Sequence, residues 1–193
     1  MDWIQTYKNL VFDYNNISSE NINIYDIAHA LSNICRFGGH TIVPYSVAEH
    51  SIRCAELLYN ESIDTQLWGL LHDAAEAYIG DIPTPLKKHL LFQSENYSIS
   101  LNKYEEEILT TIAKTFNLSP TIPIKVKEKD RILLITEARD LLPSPLKKWQ
   151  ETHLKPLKST IVPWSSFVAE QKFITKYIQL RKSLNVFSFK IPS

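Results

Sequence analysis

Residues 70–81 read LLHDAAEAYIGD. The segment is apolar enough for a buried helix, yet it carries His72, Asp73, Glu76 and Asp81. Burying such groups is costly unless each meets a partner. Imidazole and carboxylate on adjacent residues can ligate a divalent cation, and a nearby carboxylate can move protons. At about 100° per residue, Gly69, His72, Asp73 and Glu76 share one wedge of the helix. Leu67, Leu70, Leu71, Ala74, Ala75 and Tyr78 occupy the remainder. Gly69, in the middle of the wedge, leaves room for something to sit against the helix.

Two other segments carry the same anomaly. After Ser46, Val47, His50, Ser51, Cys54 and Leu58 recur at the spacing of a core-facing stripe, with His50 inside it. Around 124–142, Val126, Leu133, Leu134, Ala138 and Leu141 form an inward stripe that includes Asp130 and, two turns later, Glu137. A lone inward histidine is commonly a hydrogen-bonded core residue, and a lone buried aspartate is commonly half of an ion pair. Together, His50, His72, Asp73 and Asp130 could be satisfied by one divalent cation. Nitrogen and oxygen donors without thiolate suit Zn, Mn, Fe, Co, Ni or Mg rather than a structural zinc. The competing arrangement is a buried His/Asp hydrogen-bond network with no metal.

Glu76 lies one turn after His72 and off the ligand positions, which suits general acid/base work; otherwise it is an exposed helix carboxylate. Asp81 follows Gly80 and either meets a sugar hydroxyl or water, or serves as a turn residue before IPTP. Arg36 closes the apolar run IAHALSNICRF and precedes Phe37, Gly38, Gly39 and His40. It either clamps an anion or complements a helix C-terminus. Phe37 stacks on a base or caps the core. Lys87 is a phosphate candidate or a solvated lysine.

These residues need helices to hold them. The apolar period predicts helices at 23–36, 46–59, 65–79, 84–91, 98–117, 124–142 and 164–183, with a short strand at 8–14. SVAE, residues 46–49, has the form of a capping box that occupies Glu49 structurally. Pro85 suits the first turn of a helix. Four prolines between Pro143 and Pro163 predict a long irregular connection. Cys35 and Cys54 sit in apolar helical patterns and are expected to be buried thiols. The length of 193 residues fits one domain spanning 1–193. Zero formal net charge argues against a protein that coats nucleic acid or a membrane surface. The N-terminus lacks the pattern of a signal peptide, and a cytoplasmic location is expected.

YSVAEHS at 45–51, LLHDAAEAYIGDIPTPLKK at 70–88 and KEKDRILLITEARD at 127–140 resemble the signature blocks of HD-domain metal-dependent phosphohydrolases. GDIPTPLK is similar to the bacterial 5'-deoxynucleotidase branch. IYDIAHALSNICRFGGHT, followed by YSVAEHS, is closer to phage dATP triphosphohydrolases, which act where phages replace adenine with 2-aminoadenine. The resemblance implies an all-α HD-domain helical bundle in which His50, His72, Asp73 and Asp130 hold the metal. It implies Glu76 and Asp73 as the catalytic carboxylates. Arg36, Phe37, His40, Asp81, Pro85 and Lys87 would face the substrate. Phe37 stands where the deoxynucleotidase branch often has tryptophan. The implied activity is hydrolysis of deoxynucleotides, dATP above all, to deoxyadenosine and triphosphate. A 5'-deoxynucleotidase acting on monophosphates and a non-catalytic nucleotide-binding module are the rivals. The implied assembly is a homo-oligomer, dimer or hexamer, in the host cytoplasm if phage-encoded.

Overall fold

The computed structural model describes residues 2–94, 97–144 and 154–188, with side chains of the last helix described through Leu184. It is mostly helical, with two small antiparallel hairpins. The helices are α1 (Ile24–Asn33), α2 (Val47–Leu57), α3 (Ile63–Leu71), α4 (Glu76–Ile79), α5 (Thr84–Lys87), α6 (Leu101–Thr115), α7 (Ile124–Leu141) and α8 (Ser166–Ser188). Side chains fix several starts: Asn23 accepts from the Tyr25 amide, Ser46 from Glu49, Ser62 from Thr65 and Ser100 from Lys103.

Helix α2 is central and packs against α1, α3, α7 and α8. Its stripe of Val47, His50, Ser51, Cys54 and Leu58 is wholly buried, as the apolar period predicts. Gly69 sets how close α3 lies: a Cβ there would stand 2.6 Å from Leu58 Cδ1 and 3.0 Å from Ala55 Cα. Gly69 is therefore filled by helix packing, which corrects the expectation of open space beside it. That close approach brings the His72 end of α3 to His50.

The first hairpin pairs β1 (Trp3–Gln5) with β2 (Val11–Asp13), Ile4 opposite Phe12. It places a short β element in the N-terminal region, beginning earlier than residue 8. Phe12 stacks on Tyr78 with centroids 4.1 Å apart, and the Tyr14 hydroxyl donates to the Tyr78 carbonyl. The second hairpin, β3 (Leu91–Gln93) with β4 (Ser98–Ser100), replaces the end of the expected 84–91 helix and the start of the 98–117 helix. The gain is that Phe92 stacks on Tyr104 of α6, centroids 3.8 Å apart.

Two further expectations change. The 23–36 helix stops at Asn33, because Ile34 and Cys35 are extended and Cys35 bridges to Ser46. Cys35 is consequently only half-buried and non-helical, whereas Cys54 is buried in α2. The 65–79 helix is divided into α3 and α4 by a tight turn with bonds from Ala74 to the Leu71 carbonyl and from Glu76 to the Asp73 carbonyl. Within the 143–163 connection, residues 145–153 lie outside the described part, and residues 154–163 run over α7 and α2. Arg139 donates to the Leu157 and Ser159 carbonyls, Asp140 accepts from the Ile161 amide, and Trp164 donates its amide to Glu49. Helix α8 then buries Ala169, Phe173 and Leu180. No helix of the described residues is long and apolar enough to cross a membrane.

Candidate metal centre

The turn between α3 and α4 delivers His72 and Asp73 to the buried face of α2, where His50 lies. The Nε2 atoms of His50 and His72 are 3.2 Å apart. Asp73 Oδ2 lies 3.5 Å from His50 Nε2 and 3.4 Å from His72 Nε2. Asp130 of α7 approaches with Oδ1 at 3.2 Å from His50 Nε2, its side chain 38% exposed. Donor atoms of His50, His72 and Asp73 all lie within 4.8 Å of one another, and Asp130 joins this group through His50.

Hydrogen bonds on the far side of each ring fix where the protons sit. His72 Nδ1 is 2.9 Å from the Gly69 carbonyl, which only accepts. His50 Nδ1 is 2.6 Å from Glu137 Oε1. Each neutral ring thus carries its proton on Nδ1 and aims a bare Nε2 at the other. Two lone pairs facing each other beside two carboxylates repel unless a positive charge lies between them. The donor set fits a divalent ion also in scale, since ligand bonds of about 2.1 Å in a tetrahedron separate donors by about 3.4 Å. In a metal-free state a proton supplies the charge. Burial and Arg36 lower the proton affinity of His50, but Glu137 and Asp130 prevail and raise its pKa to about 10. Burial raises the Asp130 pKa, and the hydrogen bond and charge of His50 outweigh it and hold the carboxyl well below the usual range.

Glu137, in the α7 stripe, had no assigned role in the sequence, and it proves to be a hub. It is fully buried and accepts from His50, from the Tyr45 hydroxyl at 2.9 Å and from Arg36 Nε at 3.1 Å. Burial opposes its ionisation, but Arg36 and His50 hold its pKa down at about 2. The available signal was a second carboxylate on the same face as Asp130. Arg36, expected at a helix end, instead follows the extended Cys35 in a 3-10 turn. It is buried, and its Nη1 also donates to Asp73 Oδ2 at 3.3 Å.

Glu76 opens α4 and is buried, with Oε2 lacking a hydrogen-bond partner. Burial, then Asp73 and Asp81, raise its pKa well above the usual carboxylate range. It is not the exposed helix carboxylate that was its alternative. Asp81 is half-buried, and burial raises its pKa while Arg36 and Lys87 oppose the shift. Lys87 sits at 2.8 Å from both oxygens of Glu105. Phe37 is half-buried with a left-handed backbone, φ 56°, and its ring centroid is 5.6 Å from the Arg36 guanidinium carbon. His40 and Pro85 are exposed, and His40 has no side-chain hydrogen bond to the centre among the described residues. Glu49 keeps out of the centre as expected, but not as a reciprocal capping box: its carboxylate binds Arg53 at 2.7 Å and the Trp164 amide at 2.7 Å.

A mostly helical chain with a buried His/Asp centre between α2, the α3–α4 turn and α7 is the class that these features define. No family model matches the chain. It is 42% identical over 141 residues to the uncharacterized protein YfdR of Escherichia coli K12, an alignment covering 73% of each chain. It is also 34% identical over 112 residues to an uncharacterized protein of Rhodobacter capsulatus, covering 55% of this chain and 54% of that one. The chain belongs to the YfdR family.

Proposed function

We propose that this protein is a metal-dependent phosphohydrolase of the HD-domain type that acts on deoxynucleotides, with dATP as the favoured substrate. The observation that carries the reading is the pair of imidazole Nε2 atoms 3.2 Å apart, flanked by Asp73 and Asp130. His50, His72, Asp73 and Asp130 would hold the ion. A divalent cation there supplies Lewis acidity toward a phosphoryl oxygen and toward a water molecule.

The chain's own groups account for the rest. Glu76 has a proton affinity raised by burial and by neighbouring carboxylates, which suits a base that accepts a proton from the attacking water. Water adds to the α-phosphorus as Glu76 takes its proton, the bond to the 5' oxygen breaks, that oxygen takes up a proton from Glu76 or solvent, and deoxyadenosine and triphosphate leave. Arg36 and Lys87 place positive charge near the acidic group. Phosphate binding by Lys87 would require exchange of Glu105 for the substrate. Asp81 and Phe37 would meet the sugar and base. The same groups serve a monophosphate equally well, which makes a 5'-deoxynucleotidase the alternative.

The test is product analysis with purified protein and added manganese, cobalt or zinc. Triphosphate released from dATP supports the main reading, and phosphate released from dAMP alone supports the alternative. Asp73→Ala should lose turnover and metal together while keeping its helical content. No hydrolysis of any deoxynucleotide with any of these ions would end both readings.

A further inference from the structure

Glu137 receives three donors on two oxygens, and the division is informative. Oε2 takes Arg36 Nε, while Oε1 takes both His50 Nδ1 and the Tyr45 hydroxyl. If neutralising Arg36 were its whole task, Glu137 would not need the 2.6 Å contact to His50. The guanidinium has only donors, so it can never turn an acceptor toward Glu137. A carboxylate accepts at every position and can therefore serve Arg36 on one side and a protonated Nδ1 on the other.

We infer that Glu137 is a positioning residue for the metal centre: its carboxylate holds the His50 proton on Nδ1 and so presents Nε2 bare to the cation. This rests on the metal-dependent reading above and adds to it a residue that touches neither the cation nor the substrate. Arg36 is the complement that keeps the carboxylate oriented, since it binds Glu137 and Asp73 together.

The inference singles out Glu137→Gln as the discriminating change. The amide has one accepting oxygen, and Arg36 claims it. The amide NH2 must then face His50, which has to accept at Nδ1. The His50 proton moves to Nε2 and stands where the cation's bond would form. Tyr45→Phe is the control, because it removes a hydrogen bond from the same oxygen and leaves the His50 contact in place.

Zinc binding by calorimetry and the histidine ring nitrogens by NMR read the outcome. In the zinc-loaded wild-type protein, His50 should show the metal at Nε2 and a solvent-protected proton at Nδ1, its signals identified by their loss in His50→Gln. Glu137→Gln should bind zinc about 10–100-fold more weakly. Tyr45→Phe should weaken zinc binding by no more than about threefold, the low end of what one hydrogen bond is worth, because the His50 contact with Glu137 stays in place. Wild-type zinc affinity in Glu137→Gln would overturn the inference, as would a weakening by Tyr45→Phe equal to that of Glu137→Gln. Should Glu137→Gln not fold, the wild-type spectrum decides alone, since metal at Nδ1 of His50 would also overturn it. A wild-type protein that takes up no zinc, cobalt or manganese overturns the proposed function too, and is distinguishable from failure of the Glu137 assignment.

Discussion

Glu76 shows what a buried carboxyl costs and what it permits. Its Oε2 has no hydrogen-bond partner, and burial raises its pKa. A group whose folded pKa is raised weakens folding once pH exceeds its unfolded value, about 4.3 for glutamate. Glu76→Gln should therefore melt higher than wild type at pH 8, with the difference closing below pH 4. The same variant should retain zinc and lose at least about 100-fold in hydrolytic rate. Scanning calorimetry and a product assay on one preparation check both halves. His50, His72, Asp73 and Asp130 stood out in the sequence because each interrupts an apolar run, His50 in α2, Asp130 in α7, and His72 and Asp73 in the segment that turns from α3 into α4. Glu137 breaks it as well, but its role depends on Arg36, 101 residues away, and on Tyr45, 92 residues away. Helical periodicity says which face is buried and not which distant donors meet there.

At the scale of elements, the centre depends on how closely two helices approach. An alanine at 69 would press its Cβ against Ala55 Cα at 3.0 Å as well as against Leu58. The side chain can yield and the α2 backbone cannot, so the helices must separate. Gly69→Ala should cost about 1–3 kcal/mol, the usual range for overpacking. It should also weaken zinc binding, because His72 rides on the helix that is displaced. Urea unfolding and zinc calorimetry together test this; a variant as stable and as zinc-avid as wild type would show that the approach is slack. The sequence misled here, since a glycine between polar groups reads the same whether a ligand or another backbone comes near. Starts of helices were clearer than their ends, because Ser46 announces itself as a cap and Pro85 suits a first turn. The β3–β4 hairpin was hidden because Leu90, Leu91 and Phe92 form a short apolar run without a diagnostic period.

Across the whole molecule, the metal reading gives the chelated protein a falling pH slope and leaves the zinc-loaded protein nearly flat over the same interval. The raised pKa of His50, about 10, stabilises the metal-free fold below its unfolded value of about 6.5, and that contribution is lost as pH rises through 10. Zinc needs the deprotonated ring, so its affinity rises over the same interval. The melting temperature with chelator should therefore fall from pH 6.5 to 9, while the increment given by zinc should grow. At zinc about 100 times Kd the increment is about 2.7 kcal/mol, or roughly 5–10 °C for a chain of this size. Melting curves at a series of pH values, with and without zinc, decide this. An increment that shrinks with rising pH would contradict the ligand assignment. The helical class was legible from periodicity, and the N-terminal strand was anticipated near its true place. The main core was less so, because it draws on Phe12, Ile22, Tyr104 and Phe173 from elements far apart in the chain.

The bridge between Cys35 and Ser46 has its own consequence. Arg36 donates its amide to the Tyr45 carbonyl, and Val47 donates to Ile34, so the ten residues between are tied off at the base. Both side chains that grip Glu137 from this segment sit at the knot, while Gly38, Gly39 and His40 lie exposed at the rim. Extra residues spliced between Gly39 and His40 would lengthen a closed ring, and doubling such a ring costs only about 0.6 kcal/mol. The rim is thus a place where related chains can differ in length and acquire new contacts while the knot stays shut.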